Sequence, residues 1–169
     1  MITHNIYSKT TLLLMVSFIG LIACSNQNQE KMKQQNNEPL FPRGNKLPDD
    51  WFTGDAFLSP LVAKDKNNEF SVGAVTFEVG ARTNWHTHPK GQVLIVTQGA
   101  GFYQEKGKPA QIIKKGDVVN IPENVEHWHG ASAKTSMTHI AITNFKEEVQ
   151  VTWLNPVTEE EFNEVNNQK

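Results

Sequence analysis

Apolar and polar side chains alternate in short runs from about residue 70 onward, and glycine, proline or asparagine separates the runs. Residues 70–79 are rich in β-branched and aromatic side chains, and residues 137–143 alternate between apolar and polar positions. Residues 92–97 and 118–121 form shorter apolar runs. Runs of this length and composition predict β-strands. Several short strands at this spacing predict an all-β barrel or sandwich.

Two local signals refine this prediction. Gly107-Lys108-Pro109 lies between two strand-like runs, at residues 101–105 and 110–113, where a hairpin turn is expected. Near the end of the sequence, Thr158 and Glu161 have the spacing of a capping box. They predict a short helix over residues 159–166, which we expect to lie on the outside of the sheet.

The N-terminal pattern differs from the rest. An apolar run over residues 12–23 follows a polar stretch, and it is shorter than the roughly 20 residues that a membrane-spanning helix needs. Its last residues, Leu21-Ile22-Ala23-Cys24, resemble the lipobox of bacterial lipoproteins. The resemblance implies a signal peptide over residues 1–23 and lipidation of Cys24. The alternative is an uncleaved anchor followed by a free thiol.

A polar segment follows Cys24, in which eight of the fourteen residues from 25 to 38 are Asn or Gln. Such a segment buries too little apolar surface to offset its ordering entropy. We therefore expect a tether over residues 24–48 and a single domain over residues 49–169. This organisation predicts an extracytoplasmic protein anchored by lipid to a bacterial membrane, at the outer membrane or the periplasmic face in a Gram-negative cell.

Composition narrows the classes of partner. The 169 residues are 38% apolar and 20% charged, which suits one soluble domain with attached segments. The formal net charge is −2 and no long run of one sign occurs, so a nucleic-acid partner is not expected. Cys24 is the only cysteine, which excludes an intrachain disulfide.

Histidines supply the candidate chemistry. Five of the six lie between His86 and His139, as His86-Thr-His88, His127-Trp-His129 and His139. Residues two apart on a strand share a face, so each pair can point in one direction. Imidazole is a standard ligand of first-row transition metals, and the sequence therefore predicts a metal site. Mixed nitrogen and oxygen donors suit Mn, Fe, Ni or Zn.

The spacings of glycine, histidine and proline residues from Gly80 to Gly99 and from Gly116 to His127 resemble the two motifs of the cupin superfamily. The first motif usually has Glu where this sequence has Gln92, and the second usually has a glycine at Asn124 and an asparagine at Ala131. Asn tolerates left-handed backbone, so the turn at Asn124 can survive. The resemblance implies a double-stranded β-helix, which is a jelly-roll barrel. The matching residues are Gly80, His86, His88, Gln92 and Gly99 in the first motif, and Gly116, Pro122 and His127 in the second.

Longer stretches carry a closer resemblance, among them Asp50-Trp-Phe-Thr-Gly, Gly80-Ala-Arg-Thr-Asn-Trp-His-Thr-His-Pro, His127-Trp-His-Gly-Ala and Met137-Thr-His-Ile-Ala-Ile. They are similar to bacterial cupin hydroxynitrile lyases, which commonly use Mn²⁺ to interconvert cyanohydrins with an aldehyde plus cyanide. The resemblance implies one divalent metal, held by His86, His88, Gln92 and His127, with His139 as the general base. It also implies a homodimer or homotetramer, because cupins often pair through strands.

Further residues are assigned to the substrate pocket. Strand parity points His129 inward with His127, where it could orient a ligand, contact substrate or bond to a carboxylate. The alternative for His139 is a buried histidine satisfied by the backbone. Thr143 matches a position where a relative carries Gln. The full set of pocket residues is His129, Thr83, Gly73, Val75 and Thr143.

Three functions remain open on the sequence. The first is a metal-dependent lyase in which the metal acts as Lewis acid on a small-molecule substrate. The second is a dioxygenase-type cupin, which requires oxygen for turnover. The third is a binding protein that holds a small molecule without turnover. Three neutral imidazoles and the amide of Gln92 leave the charge of a divalent ion uncompensated, which favours anionic ligands.

Overall fold

The computed structural model describes residues 39–167. These residues form a 12-stranded antiparallel sheet, β1 to β12, and one helix, α1. The strands are β1 (Asn45–Lys46), β2 (Phe52–Thr53), β3 (Ala56–Val62), β4 (Phe70–Phe77), β5 (Arg82–Thr83), β6 (His86–Thr87), β7 (Gln92–Glu105), β8 (Gln111–Lys114), β9 (Val118–Ile121), β10 (His127–Ala131), β11 (Met137–Asn144) and β12 (Thr152–Trp153); the helix α1 is Glu159–Asn166. The predicted all-β class with a short C-terminal helix is confirmed.

The long strand β7 joins the two halves of the curled sheet. Its first half pairs with β11 and β9, and β11 continues through β4 and β3 to β1. Its second half pairs with β8 and β10, and β10 continues to β5 and β6. One strand therefore carries residues into both walls of the barrel.

A close backbone approach lets β7 continue where the sequence predicted a strand end near residue 97. Gly99 has φ of 69°, and a Cβ at this position would lie 1.9 Å from the carbonyl oxygen of Ser136. Only glycine fits this conformation and this gap without strain. A register shift between Thr138 and His139 follows on the neighbouring strand β11. Such irregularities bend a sheet and re-aim side chains, and here the shift lies directly beside a pocket residue.

Two apolar clusters cover the two sides of the sheet. The inner cluster includes Phe77, Leu94, Tyr103 and Ile121. The outer cluster places Phe162 and Val165 of α1 against two buried tryptophans, Trp85 and Trp128. These tryptophans alternate with the ligand candidates along the chain, so they face outward while the histidines face inward. The Thr158 capping box forms as predicted.

The predicted boundary at Asp49 is too late. Asn45 and Lys46 of β1 pair with Leu58 and Phe57, so part of the predicted tether belongs to the sheet. Arg43 adds an ion pair with Glu78 and lies over the Phe57 ring. The Asn/Gln-rich composition of residues 25–38 does not extend to residues 43–46. The charged side chains of this segment form ion pairs on the domain surface.

The predicted signal peptide, Cys24 as the predicted lipidation site, and the predicted tether up to residue 38 lie outside the described residues. Within residues 39–167, α1 is too short and too polar to cross a bilayer, and no longer helix is present.

Candidate metal centre and cavity

The inner faces of the strands enclose a cavity of about 530 Å³. Its wall combines a group of histidines with a larger apolar surface, which is typical of a small-molecule site. The polar part of the wall includes His86, His88, Gln92, His129 and His139, and the apolar part includes Trp51, Phe52, Leu58, Val75, Phe77, Ala141 and Trp153.

Strand register brings the two cupin-like motifs together. His127 on β10 is the direct antiparallel partner of His86 on β6. Their ring centroids are 4.2 Å apart, and the ring of His88 lies 5.0 Å from that of His86 and 5.5 Å from that of His127. His127 does not line the cavity itself and lies beside His86. Histidines about forty residues apart in the sequence thus share one site.

Backbone carbonyls fix the orientation of these three rings. The Nδ1 of His86 lies 2.9 Å from the carbonyl oxygen of Asn84, that of His88 2.6 Å from Gln150, and that of His127 2.8 Å from Val125. A carbonyl only accepts, so each Nδ1 carries the hydrogen and donates it. Each Nε2 is therefore left with a lone pair. The Nε2 atoms of His88 and His127 are buried and have no hydrogen-bond partner among the described residues.

Gln92 adds a fourth donor atom. Its Nε2 donates to Thr143 Oγ1 at 2.8 Å, and its Oε1 is buried and makes no hydrogen bond of normal geometry in the described part of the chain. The Gln92 side chain lies close enough to His88 to raise the pKa of that imidazole, against the larger effect of burial. Buried polar atoms are almost always hydrogen-bonded, and an unpaired one costs about 1–3 kcal/mol. The Gln92 amide oxygen is therefore available as a ligand atom at the same site as the imidazole nitrogens.

Burial keeps these imidazoles neutral. It is the largest cause that lowers the pKa of His88, and it lowers the pKa of His127 to about 4. The pKa of His86 falls well below its ordinary value because of burial, and repulsion from His127 and His88 lowers it further. Neutral imidazole is the form that binds a metal. Orphaned lone pairs, fixed tautomers and neutral rings together fit a divalent transition metal.

Among the described residues, one closely spaced group of histidine ligand atoms differs in membership from the set His86, His88 and His127. The ligand atoms of His86, His127 and His129 all lie within 4.8 Å of one another, and His88 is not part of this group. His129 differs from the other rings, because its Nδ1 contacts another histidine rather than a backbone carbonyl. We favour the set with His88, since its Nδ1 donates to a fixed backbone carbonyl and leaves the Nε2 lone pair for a metal, whereas the Nδ1 of His129 faces the ring of His139.

His139 is the imidazole in contact with His129. Its Nε2 lies 3.3 Å from His129 Nδ1, and its ring is fully buried. Its Nδ1 makes no hydrogen bond of normal geometry to the described residues. Burial lowers the pKa of His139 to about 4, so the ring is neutral and retains a lone pair at neutral pH. A backbone group of Ile140 acts in the opposite direction and raises this pKa, so the alternative of a buried histidine satisfied by the backbone stays a prediction.

The remaining pocket residues lie on the cavity wall as expected, namely Gly73, Val75, Thr83 and Thr143. Val75 is the strand partner of His139. Thr83 Oγ1 accepts from the backbone N–H of His129 at 3.2 Å. A Cβ at Gly73 would lie 2.5 Å from Leu58 Cδ1, so this glycine leaves room for the Leu58 side chain.

Two tryptophans of the cavity wall were not predicted. Trp153 on β12 is the strand partner of His86, and their rings lie 4.9 Å apart. Trp153 also stacks on Trp51, with 5.5 Å between centroids and 6° between planes. Strand β12 has only two residues, which is too short for a recognisable alternation. Only its pairing with β6 places this ring beside a ligand candidate.

Comparisons with known proteins agree with this geometry. The cupin domain pattern matches residues 73–143. The chain is 45% identical over 117 residues to the (R)-mandelonitrile lyase of Granulicella tundricola, which covers 69% of this chain and 89% of that enzyme. A cupin-like protein from Thermotoga maritima is 50% identical, with a TM-score of 0.74 over 78% of this chain and 100% of that one.

A cupin 2 conserved barrel domain protein from Rhodopseudomonas palustris is 17% identical, with a TM-score of 0.56 over 73% of this chain and 83% of that one, and this likeness shows the fold alone. The Granulicella enzyme and the Thermotoga protein are similar over most of their own length, and the matched region includes both predicted motifs. The chain therefore belongs to the cupin family.

Proposed function

We propose that this cupin is a metal-dependent lyase of the hydroxynitrile lyase type, which cleaves a cyanohydrin to an aldehyde and cyanide. The 45% identity to a mandelonitrile lyase supports the reaction class. The observation that carries the proposal is the set of buried donor atoms that have no partner among the described residues, on or directly beside the wall of a largely apolar cavity that His139 also lines.

In this proposal His86, His88 and His127 hold the metal through Nε2, and Gln92 holds it through Oε1. A bound divalent ion supplies Lewis-acid stabilisation of negative charge on a substrate oxygen. All four protein donors are uncharged, so they leave the charge of the ion available to an anionic ligand. Mn²⁺ is the metal that we propose, because the related lyases commonly use it.

His139 takes the proton of the cyanohydrin hydroxyl. Because burial lowers its pKa to about 4, the ring is in the neutral, proton-accepting form at neutral pH. As the O–H proton moves to the ring, the oxygen forms the aldehyde carbonyl and the C–C bond breaks. The electron pair of that bond leaves with cyanide, which then takes the proton from His139. The reverse sequence makes the cyanohydrin.

His129 steadies the base. One hydrogen lies between His139 Nε2 and His129 Nδ1, which are 3.3 Å apart, so each ring limits the rotation of the other. Both rings also pack on Phe77, with centroid distances of 5.6 Å for His139 and 5.7 Å for His129. A base that is held in place loses little entropy when the substrate binds.

The apolar wall suits the body of the substrate. Trp51, Phe52, Leu58 and Val75 lie around the same cavity as the polar group. Such a wall contributes binding through apolar burial and leaves orientation to the few polar atoms. The substrate class that fits is a small hydroxynitrile with an apolar substituent.

The test combines metal analysis with an oxygen control. The protein is assayed for mandelonitrile cleavage as purified, after chelation and after addition of Mn²⁺, each with and without oxygen. We expect cleavage that requires the metal and proceeds at the same rate without oxygen. His139→Ala should lose at least about a hundredfold in kcat, which is the lower range for removal of a general base. Thr138→Ala, on the opposite face of β11, is the matched control.

Each other result identifies a different function. Full activity of metal-free protein contradicts the mechanism. Turnover that consumes oxygen and stops without it identifies a dioxygenase-type cupin. Tight binding of a cyanohydrin without turnover identifies a binding protein.

A further inference from the structure

Gln92 occupies the position where cupins usually have Glu, and its amide has two chemically different ends. The oxygen can bind a cation, whereas the NH₂ group is a donor and cannot. A carboxylate presents an oxygen on either side and has no wrong orientation. An amide ligand therefore needs a neighbour that holds its NH₂ group away from the metal position.

Thr143 is that neighbour. Gln92 on β7 and Thr143 on β11 are direct strand partners, and the amide nitrogen donates to Thr143 Oγ1 at 2.8 Å. Both side chains are buried on the cavity wall. No other acceptor of this amide is present in residues 39–167, and the nearby cavity wall on β11 continues with the apolar side chain of Ala141.

We propose that Thr143 is a positioning residue, which holds Gln92 with its oxygen toward the other donors and so raises the metal affinity of the site. The proposal rests on the assignment of Gln92 as a metal ligand under the proposed function. It explains how an uncharged amide serves in place of a carboxylate, and it gives Thr143 a role that does not involve contact with substrate.

The energetic reason is the cost of a buried, unpaired amide. Without the Thr143 hydroxyl, the NH₂ group would lose its acceptor, at a cost of about 1–3 kcal/mol. The metal-free side chain would relieve this cost by rotating toward the cavity. Metal binding would then have to turn the amide back and bury its NH₂ group unpaired, so the affinity would fall. Loss of a hydrogen-bonding partner of a ligand typically weakens metal binding about 10–100-fold.

The test measures Mn²⁺ affinity of the full chain from the electron paramagnetic resonance signal of free Mn²⁺. Thr143→Val keeps the shape and removes the acceptor, and we expect a dissociation constant about tenfold higher or more. Thr143→Ser keeps the hydroxyl and should restore the wild-type value. Thr97→Val is the matched control, because it makes the same change at a threonine of β7 whose hydroxyl donates to the carbonyl of Thr138 on β11 and contacts none of the four donors.

A double-mutant cycle shows whether Thr143 acts through the amide. In the Gln92→Leu background no amide remains to be oriented, so Thr143→Val should weaken Mn²⁺ binding no further. An equal loss in both backgrounds overturns the proposal, as does wild-type affinity in Thr143→Val. A loss of the same size in Thr97→Val also overturns it, since the effect would then be general packing.

These measurements distinguish a failure of the proposed positioning role from a failure of the proposed lyase function. Suppose that the wild type binds Mn²⁺ tightly but does not cleave mandelonitrile, and that Thr143→Val binds Mn²⁺ weakly. This result supports the positioning role and refutes the lyase function. Mandelonitrile cleavage that depends on Mn²⁺, with no change in affinity in Thr143→Val, supports the lyase and refutes the positioning role.

Discussion

Two histidine sets compete for the metal, and thermal stability distinguishes between them. The set that we propose contains His88, whereas the tightest group of ligand atoms contains His129 in its place. Each is replaced by alanine, and the melting temperature is measured with and without Mn²⁺. We expect the increase caused by the metal to disappear in His88→Ala and to persist in His129→Ala.

The size of the effect follows from mass action. A ligand at one hundred times its dissociation constant stabilises the native state by about 2.7 kcal/mol. For a folded region of about 130 residues, each kcal/mol raises the melting temperature by roughly 3–5 °C, so the wild type should gain roughly 10 °C. Loss of His88 removes a donor whose Nε2 is buried and has no hydrogen bond of normal geometry within residues 39–167. A hundredfold weaker affinity leaves about 0.4 kcal/mol, or roughly 2 °C.

The assay is differential scanning fluorimetry, repeated by calorimetry, at a fixed excess of Mn²⁺ over chelated protein. His129→Ala serves as the matched variant, because it also removes a buried imidazole from the same wall. If His129→Ala loses the increase and His88→Ala retains it, the ion is held by the group that contains His129 and the proposed ligand set is wrong. If neither variant changes the increase, Mn²⁺ binds elsewhere.

Three further predictions test the fold, the base and the cavity wall. Gly99→Ala should lower the free energy of unfolding, measured in urea, by about 2–3 kcal/mol or more, because its Cβ meets the Ser136 carbonyl at positive φ. Gly107→Ala is the control, since Gly107 has a similar φ but lies in open space, and this change should cost only about 1 kcal/mol. With Mn²⁺ saturating, kcat/KM should stay level from pH 8 to 6, because the pKa of His139 is lowered to about 4 and protonation inactivates the base only below that range; an inflection near pH 6.5 would contradict the assignment. Trp153→Leu should raise KM for mandelonitrile roughly three- to tenfold and leave KM for an aliphatic cyanohydrin nearly unchanged, since an aromatic contact contributes about 0.5–1.5 kcal/mol; equal changes for both substrates would show that the ring does not contact the aryl group.

Local patterns in the sequence predicted the parts of the site that are local in origin. His86 and His88 share a face because strand side chains alternate, and the same rule placed His139 and Thr143 together on the inner face of β11. The helix α1 was predicted to the residue, because the Thr158 capping box depends on groups within four positions of each other.

Contacts between distant segments were not predictable in this way. No local pattern predicted that β7 continues through Gly99 into both walls, because this continuation depends on the approach of Ser136 from another segment. The boundary at Asp49 was wrong for a similar reason, since Asn45 gains its partner only when β3 lies beside it. Trp153 reached the cavity through pairing with β6.

The sequence by itself therefore determined which side chains are available for metal chemistry, because motif spacing and strand parity are properties of neighbouring residues. The tertiary structure decided how those side chains are held. Carbonyls from Asn84, Val125 and Gln150 set the imidazole tautomers, and Thr143 orients the Gln92 amide across fifty-one positions of the chain. Hydrogen-bond direction depends on which atoms meet in space, and only strand register brings these atoms together.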